Sequence, residues 1–401
     1  MQKKIMILGA SALQVPAIKK AKELGYQVIL VDYDANAVGF SLADIKLVVS
    51  TLDQEEVYRQ ALIYQPDVVI TSTSDGPVRT AAYVNEKLGK QPDLSYKDSL
   101  CATIKSCMRD RLRENHLPIP EYYAVSNFDE FLSAVKNLKG CCIIKPADNA
   151  GSRGVVLIND PVLPSNDQLL KTYEYSKENS RGGIVMVEEY MTGPEVSVEA
   201  MTINGETTIV TITDKFITPP PYFVEIAHSE PSMLDEETKD KICQITKKAL
   251  KAIGLINAPS HTEIKVTTEG PKIVELAARL GGDFITSKLV PLSTGVDMVG
   301  NSVLLATGNT VDLTKTRQNG SAIHFIQGEE GILESISVDE AIYSLEGIEE
   351  VILYKKTGDV VHSTRSSNDR LGHIITTGKT PGEALACGKK ALSYIHISYD
   401  E

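Results

Sequence analysis

Over residues 1–90 short apolar runs alternate with amphipathic stretches. Ile5–Leu8, Gln27–Val31, Leu47–Val49 and Val68–Thr71 read as strands, and Gln14–Leu24, Glu55–Tyr64 and Pro77–Lys87 as helices. Strands that are apolar along their whole length and separated by helices form a parallel sheet covered on both faces. The ligand crevice of such a sheet lies beyond the carboxyl ends of its strands. Gly9-Ala10-Ser11, Asp32-Tyr33-Asp34 and Ser72-Thr73-Ser74-Asp75 all fall there. Gly9 opens no G-x-G-x-x-G, because Ser11 takes the second glycine's place. These loops are therefore expected to wall one side of a site built mainly elsewhere, not to hold NAD.

A boundary is expected at Gly89–Pro92, followed by a helical stretch Leu100–His116 that Pro118 and Pro120 stop. Strand-like segments follow at Tyr122–Val125, Cys142–Pro146, Gly154–Ile158 and Ile184–Tyr190, with helices near Phe128–Leu138 and Asp167–Tyr175. Val196–Ile203 and Thr207–Asp214 meet across Asn204-Gly205, a hairpin turn signal. Lys239–Ile253 is a long helix, and Thr262–Thr267 and Lys272–Glu275 form a second hairpin across Glu269-Gly270-Pro271. The tail from Val311 has strands at Ala322–Gln327 and Val351–Lys355 and a final helix Pro381–Ile395.

A chain of 401 residues should hold roughly two to four domains. Its net charge of -12 argues against nonspecific nucleic-acid binding, which needs a basic footprint, but leaves room for a local cluster of Lys and Arg around a nucleotide. No apolar stretch approaches the ~20 residues of a membrane span, and the run Ile5–Leu8 is too short for a signal peptide. The six cysteines contain no C-x-x-C pair. Cys141-Cys142 read as core thiols, and a reducing cytoplasm is the expected compartment.

Three segments carry the chemistry. In the first, Lys145 ends the apolar run Cys142–Pro146 and is followed by the small-residue stretch Asp148–Gly154. A strand-end lysine can hold a phosphate as a point charge, and a loop of small residues lets backbone N–H groups approach phosphate oxygens. The same residues would also make a plain turn with the lysine in solvent. In the second, Val185–Met191 leads through Gly193-Pro194 to Glu195. An extended segment can offer its backbone to an adenine edge and Glu195 can accept from ribose hydroxyls, though an edge strand with solvated acids reads the same way. In the third, Glu263 and Glu275 stand on paired apolar strands with Arg279 close behind. Two carboxylates facing one side can share a hard cation such as Mg²⁺, and Arg279 can take a phosphoryl group or carboxylate bidentately.

The order and spacing of these segments resemble the ATP-grasp superfamily, and most nearly its L-amino acid ligase branch, whose members include dipeptide-forming enzymes. The resemblance implies an α/β protein with an N-terminal parallel-sheet, pre-ATP-grasp domain (1–97), a two-lobed ATP-grasp α+β unit (98–310) and a small C-terminal α+β domain (311–401). Lys105 and Lys145 resemble the lysines that hold the nucleotide phosphates, and Arg109 a basic residue often found one turn after the first. Ser152 and Gly154 resemble the phosphate-covering loop, Glu188 and Met191 the hinge whose backbone meets adenine, and Glu195 the ribose acid. Glu263 and Glu275 resemble paired magnesium ligands, and Arg279 the phosphate-binding arginine. Lys215 is placed to reach the γ-phosphate. Glu225-x-x-His228 resembles the substrate pair of the amino acid ligases, with Glu225 suited to an ammonium and His228 to an oxygen. Many superfamily members carry E-x-N-x-R where this chain has Glu275, Ala277 and Arg279; the amino acid ligases tend to lack that Asn.

The implied activity is an ATP-dependent carboxylate–amine ligase that works through an acyl phosphate and releases ADP and phosphate. It would use ATP and Mg²⁺, with Mn²⁺ as an alternative, and small carboxylate and amine substrates. No nucleic acid or membrane partner is expected, and a homodimer is compatible with the reading. The alternatives are a carboxylase or purine-pathway ligase of the same superfamily, or an ATP-binding protein without catalysis. The last should have lost metal acids or phosphate lysines, yet Lys105, Lys145, Glu263, Glu275 and Arg279 are all present.

Overall fold

The computed structural model describes residues 2–90, 94–139, 141–149, 153–159, 164–220 and 222–400. Its N-terminal strands pair in parallel in the order Ile45–Val48, Gln27–Asp32, Lys4–Leu8, Val68–Thr71. Ile5, Ile7, Val28 and Leu30 enter one core, while Met6, Leu8, Ile29 and Val31 enter another on the opposite face. Alternate residues thus feed two covered faces, which is why these strands are apolar throughout. The first core also takes in Ile285, Leu289, Phe325 and Ile375. That shared core docks the sheet against the rest of the molecule. Its carboxyl edge meets the segment after Arg279, where the Leu280 amide donates to the Ser72 carbonyl at 2.9 Å.

An antiparallel sheet of four strands follows, in the order Tyr122–Val125, Val185–Glu189, Cys141–Pro146, Val156–Asn159. Helices Phe128–Asn137 and Asn166–Glu178 cover one face, where Phe131, Leu169 and Tyr173 pack on Cys142 and Ile144. The two-residue period turns Ile143 and Lys145 to the other face. It also corrects the expectation for Cys141, which is exposed, while Cys142 is the core thiol.

The largest sheet has eight antiparallel strands, in the order Gly270–Ala277, Ala258–Thr267, Glu195–Ile203, Glu206–Ile217, Glu225–Glu230, Gly320–Ile326, Gly372–Gly378, Ile348–Leu353. Helices Lys105–Glu114 and Glu236–Ala252 bury Met108, Leu112, Ala249 and Leu250 against Ala200, Ile273 and Leu276 on this sheet. A small sheet of Val360–Val361, Gly331–Val338 and Ile395–Tyr399 completes the C-terminal part. Among the described residues no single helix is long and apolar enough to cross a membrane.

The strands Glu225–Glu230, Gly331–Val338 and Gly372–Gly378 and the helix Met298–Ala306 were not among the expected elements, and two expected helices differ in extent for visible reasons. The helix expected over Leu100–His116 begins only at Lys105, after turns in which the Thr103 and Ile104 amides donate to the Leu100 carbonyl. The Lys105 amide is committed to the Ala147 carbonyl at 2.7 Å, a tertiary bond that competes with helix continuation. The last helix ends at Ala391, and Ile395–Tyr399 is a strand. There Ile395, Ile397 and Tyr399 pack on the terminal core while His396 and Ser398 alternate with them.

Candidate active site

Between the four-stranded and eight-stranded sheets lies a cleft of about 350 Å³, with Asp75 of the N-terminal sheet at its rim. Lys105, Lys145, Glu188, Met191, Glu195, Lys215, Glu225, His228, Glu263, Glu275 and Arg279 all line it. Gly154 does not. Its φ is +76°, and a Cβ there would come within 2.7 Å of Asn179 and 2.8 Å of Pro146, so it lets the chain pack closely behind the cleft. Ser152 lies outside the described residues.

One end is built from buried cations. Lys105 and Arg109 share one face of their helix, since residues four apart do so. Lys105 Nζ donates to Glu275 Oε1 at 2.9 Å and to the Asn149 carbonyl at 2.8 Å. Arg109, fully buried, grips Glu188 with Nε and Nη2, both at 2.9 Å, and Lys145 Nζ meets the same carboxylate at 2.7 Å. Burial alone would raise the Glu188 pKa, but Arg109 and Lys145 outweigh it and bring it to about 2. Lys145 fares differently. Burial pulls its pKa down, Glu188 opposes, and Arg109 and Lys105 add to the fall, so it stays below the ordinary lysine range. Among the described residues, the salt bridges of Lys105, Lys145 and Arg109 thus go to Glu188 and Glu275 alone. An anionic ligand beside Lys145 would relieve that excess. The strand carrying Glu188 is paired on both edges, to Tyr122 and to Ile143. The segment from Tyr190 to Pro194 beyond it has left the strand.

At the centre, Glu263 and Glu275 are direct cross-strand partners. Lys215 Nζ lies 2.9 Å from Glu263, 2.8 Å from Glu195 and 3.6 Å from Glu225. Burial would lower the Lys215 pKa, but these three carboxylates hold it well above the ordinary range. Glu195 also binds Lys265 at 3.0 Å. Behind Glu263, His261 Nδ1 bonds the fully buried Glu199 at 2.6 Å, and its Nε2 stands 3.5 Å from Glu263. Burial disfavours the imidazolium, yet Glu199 raises the His261 pKa to about 9. His261 so held faces Glu263 with its free ring nitrogen. Paired carboxylates are the oxygen donors a hard cation prefers. Among the described residues no group of three or more His, Cys, Asp or Glu is arranged to hold a metal ion. A cation held by Glu263 and Glu275 would therefore draw its remaining ligands from water and phosphate, as Mg²⁺ commonly does. Ala277, opposite His261, adds no ligand.

Arg279 Nε binds Asp75 at 2.8 Å, tying the cleft to the N-terminal sheet. The far end is closed where Asp283 and Arg370, neither of them among the expected site residues, meet Glu225 and His228. Asp283 follows Gly281-Gly282 and, with Phe284, takes positive φ values of +50° and +62°, an uncommon conformation for such side chains. Arg370 binds Asp283 bidentately at 2.9 Å through each Nη, and its Nη2 donates to the Glu225 carbonyl at 2.9 Å. The guanidinium lies 3.5 Å from the centre of the Phe325 ring. His228 Nε2 stands 3.4 Å from Asp283. Burial would raise the Asp283 pKa, but His228 and Arg370 hold it well below the usual carboxylate range. Arg370 had no local signal, because its partners are distant in sequence.

Residues 138–287 match the ATP-grasp domain, and residues 323–400 match the L-amino acid ligase C-terminal domain 2. The chain carries an ATP-grasp domain and an L-amino acid ligase C-terminal domain. It is 29% identical over 246 residues to an alanine–anticapsin ligase of Bacillus subtilis, covering 57% of this chain and 51% of that one. Identity to an L-arginine-specific L-amino acid ligase of Bacillus subtilis is 24% over 342 residues, covering 82% and 80%. The fold matches the crystal structure of an L-amino acid ligase from Bacillus licheniformis with a TM-score of 0.83, at 20% identity over the whole of both chains. The chain spans 60% and 51% of the length of the first two curated relatives it matches.

Proposed function

We propose that this protein is an ATP-dependent carboxylate–amine ligase that joins an amino acid to a second small substrate through an acyl phosphate. The observation that carries the reading is the placement, in one cleft, of under-neutralised buried cations beside a directly paired set of carboxylates. The kinship to amino acid ligases supports an amino acid as one substrate.

In this reading Lys105 and Lys145 hold the nucleotide phosphates, and the chain at Met191, just beyond the paired strand that carries Glu188, offers its backbone to the adenine edge. Glu195 accepts from the ribose, exchanging one of its lysine partners. Glu263 and Glu275 would hold Mg²⁺, which when bound supplies positive charge to the phosphate oxygens. A substrate carboxylate oxygen attacks the γ-phosphorus, the bond to the bridging oxygen breaks, and ADP leaves. Lys215 and Arg279 neutralise the charge on the moving phosphoryl group, an electrostatic task more than a covalent one. Glu225 orients the ammonium group and His228 donates to an oxygen. The amine then attacks the acyl carbon, loses a proton and expels phosphate. Phosphate leaves far more readily than oxide, which is what makes the amide step feasible.

The test is ADP and phosphate release with Mg²⁺ and ATP across amino acids supplied singly and in pairs, with products identified by mass. Release that depends on a particular pair, with a condensed product, is expected. Nucleotide turnover that no carboxylate or amine stimulates would overturn the proposal.

A further inference from the structure

Two thiols outside the cleft meet at the start of the helix that carries Lys105 and Arg109. Cys101 lies in the turn before the helix and Cys107 in its first turn, and their Sγ atoms are 2.8 Å apart. Cys101 is 1% exposed, whereas Cys107 is only partly buried. We propose that Cys101 and Cys107 form a dithiol site that low-molecular-weight disulfides oxidise to an intramolecular disulfide, closing a covalent ring around Lys105.

The geometry favours the closed form. A disulfide needs its sulfurs at about 2.05 Å, so the two atoms must approach by less than an ångström from their 2.8 Å contact. The two thiols also differ in the way that exchange requires. The contact with Cys101, with help from the Arg111 guanidinium and against burial, brings the Cys107 pKa to about 7. The same contact and burial push Cys101 up. Arg111 is itself fixed by Asp98 at 3.1 Å and by the Ala252 carbonyl at 3.1 Å. Cys107, the more exposed of the two and in the first turn of its helix, is therefore the thiolate that attacks, and the buried Cys101 the resolving thiol. In the first step the Cys107 thiolate bonds to one sulfur of the small disulfide and expels the other half as a thiolate. In the second, Cys101 gives up its proton, bonds to Cys107 Sγ and expels the remaining small thiolate. The two protein thiols are oxidised and one small disulfide is reduced to two thiols. No other cysteine has such a partner: the buried Cys142 is raised to about 12, and Cys243 and Cys387 are raised by burial.

The test treats the full chain with oxidised glutathione near neutral pH, blocks remaining thiols and maps the peptides. A Cys101–Cys107 cross-link, with the protein lighter by two hydrogens and no glutathione retained at either residue, is the expected result. In Cys101→Ser the first step should proceed and the second should not, leaving glutathione on Cys107. In Cys107→Ser, Cys101 should remain a free thiol. Wild-type protein in which Cys101 and Cys107 are blocked as fully as Cys243 after treatment would overturn the proposal, as would glutathione persisting on wild-type Cys107. These readouts involve neither ATP nor an amino acid, so they stand or fall apart from the ligase reading.

Discussion

Replacing Glu188 by Gln removes the charge that holds two buried cations while keeping the side chain's size. Glu188 is 3% exposed and is shared by Arg109, with both contacts at 2.9 Å, and Lys145, at 2.7 Å. Two routes give the size of the loss. Breaking a buried pair by removing one partner costs about 3–5 kcal/mol. Independently, lowering the Glu188 pKa from 4.5 to about 2 corresponds to about 3 kcal/mol of native-state stabilisation. The expected loss is therefore about 3 kcal/mol. Because the folded pKa is depressed, this contribution is fully present above the unfolded value of 4.5 and is lost as pH falls through about 2. The gap between wild type and variant should stay constant from neutrality to about pH 5 and narrow below about pH 4. The chain has no tryptophan, so urea unfolding followed by far-ultraviolet circular dichroism is the suitable assay. A gap under about 1 kcal/mol at neutral pH, or one that widens on acidification, would refute the reasoning.

Glu275→Gln should behave in the opposite way, since its side chain is 32% exposed and has one ion pair. Stability should fall by less than in Glu188→Gln, since the partly exposed Glu275 gives up one bond to the buried Lys105, while turnover falls ~100-fold or more, and unchanged turnover with Mg²⁺ and ATP would sink the metal assignment. Glu230 is fully buried, and burial raises its pKa to about 8. The folded state thus keeps a proton that the unfolded state has already released, so wild-type stability should fall between about pH 4.5 and pH 8. In Glu230→Gln thermal unfolding should lose that slope and be higher above pH 8; an unchanged slope counts against it. Arg370→Ala leaves Asp283 and Glu225 without their shared cation. It should cost about 3 kcal/mol and raise the KM for the amino acid more than that for ATP, and equal effects on both KM values would remove Arg370 from the substrate end.

Much of this was legible because it is local. Apolar strands alternating with helices dictate a doubly covered parallel sheet, and Ile5 to Leu8 feed both of its cores as that reading requires. The hairpin around Gly270 was legible from its turn residues, and its register sets Glu263 opposite Glu275. What stayed hidden depends on distant partners. The Lys105 amide bond to Ala147 sets where the helix begins. Lys215 looked like a phosphate ligand from its place after Asp214, but only the folded sheets show it gathering Glu195, Glu225 and Glu263. Arg370 reaches Asp283 across the junction of separate strands. Glu199 reads as one residue of an apolar strand until His261 is set beside it.

The central claim is that ATP activates a carboxylate by phosphorylating it. Once a substrate pair is known, the substrate whose carboxylate is condensed should be supplied with ¹⁸O in both carboxylate oxygens and the released phosphate analysed by mass. Attack by a carboxylate oxygen on the γ-phosphorus, followed by amine attack on the acyl carbon, must carry one labelled oxygen into each phosphate and leave the other in the amide. Phosphate free of label, formed at the same rate as the amide product, would contradict the account.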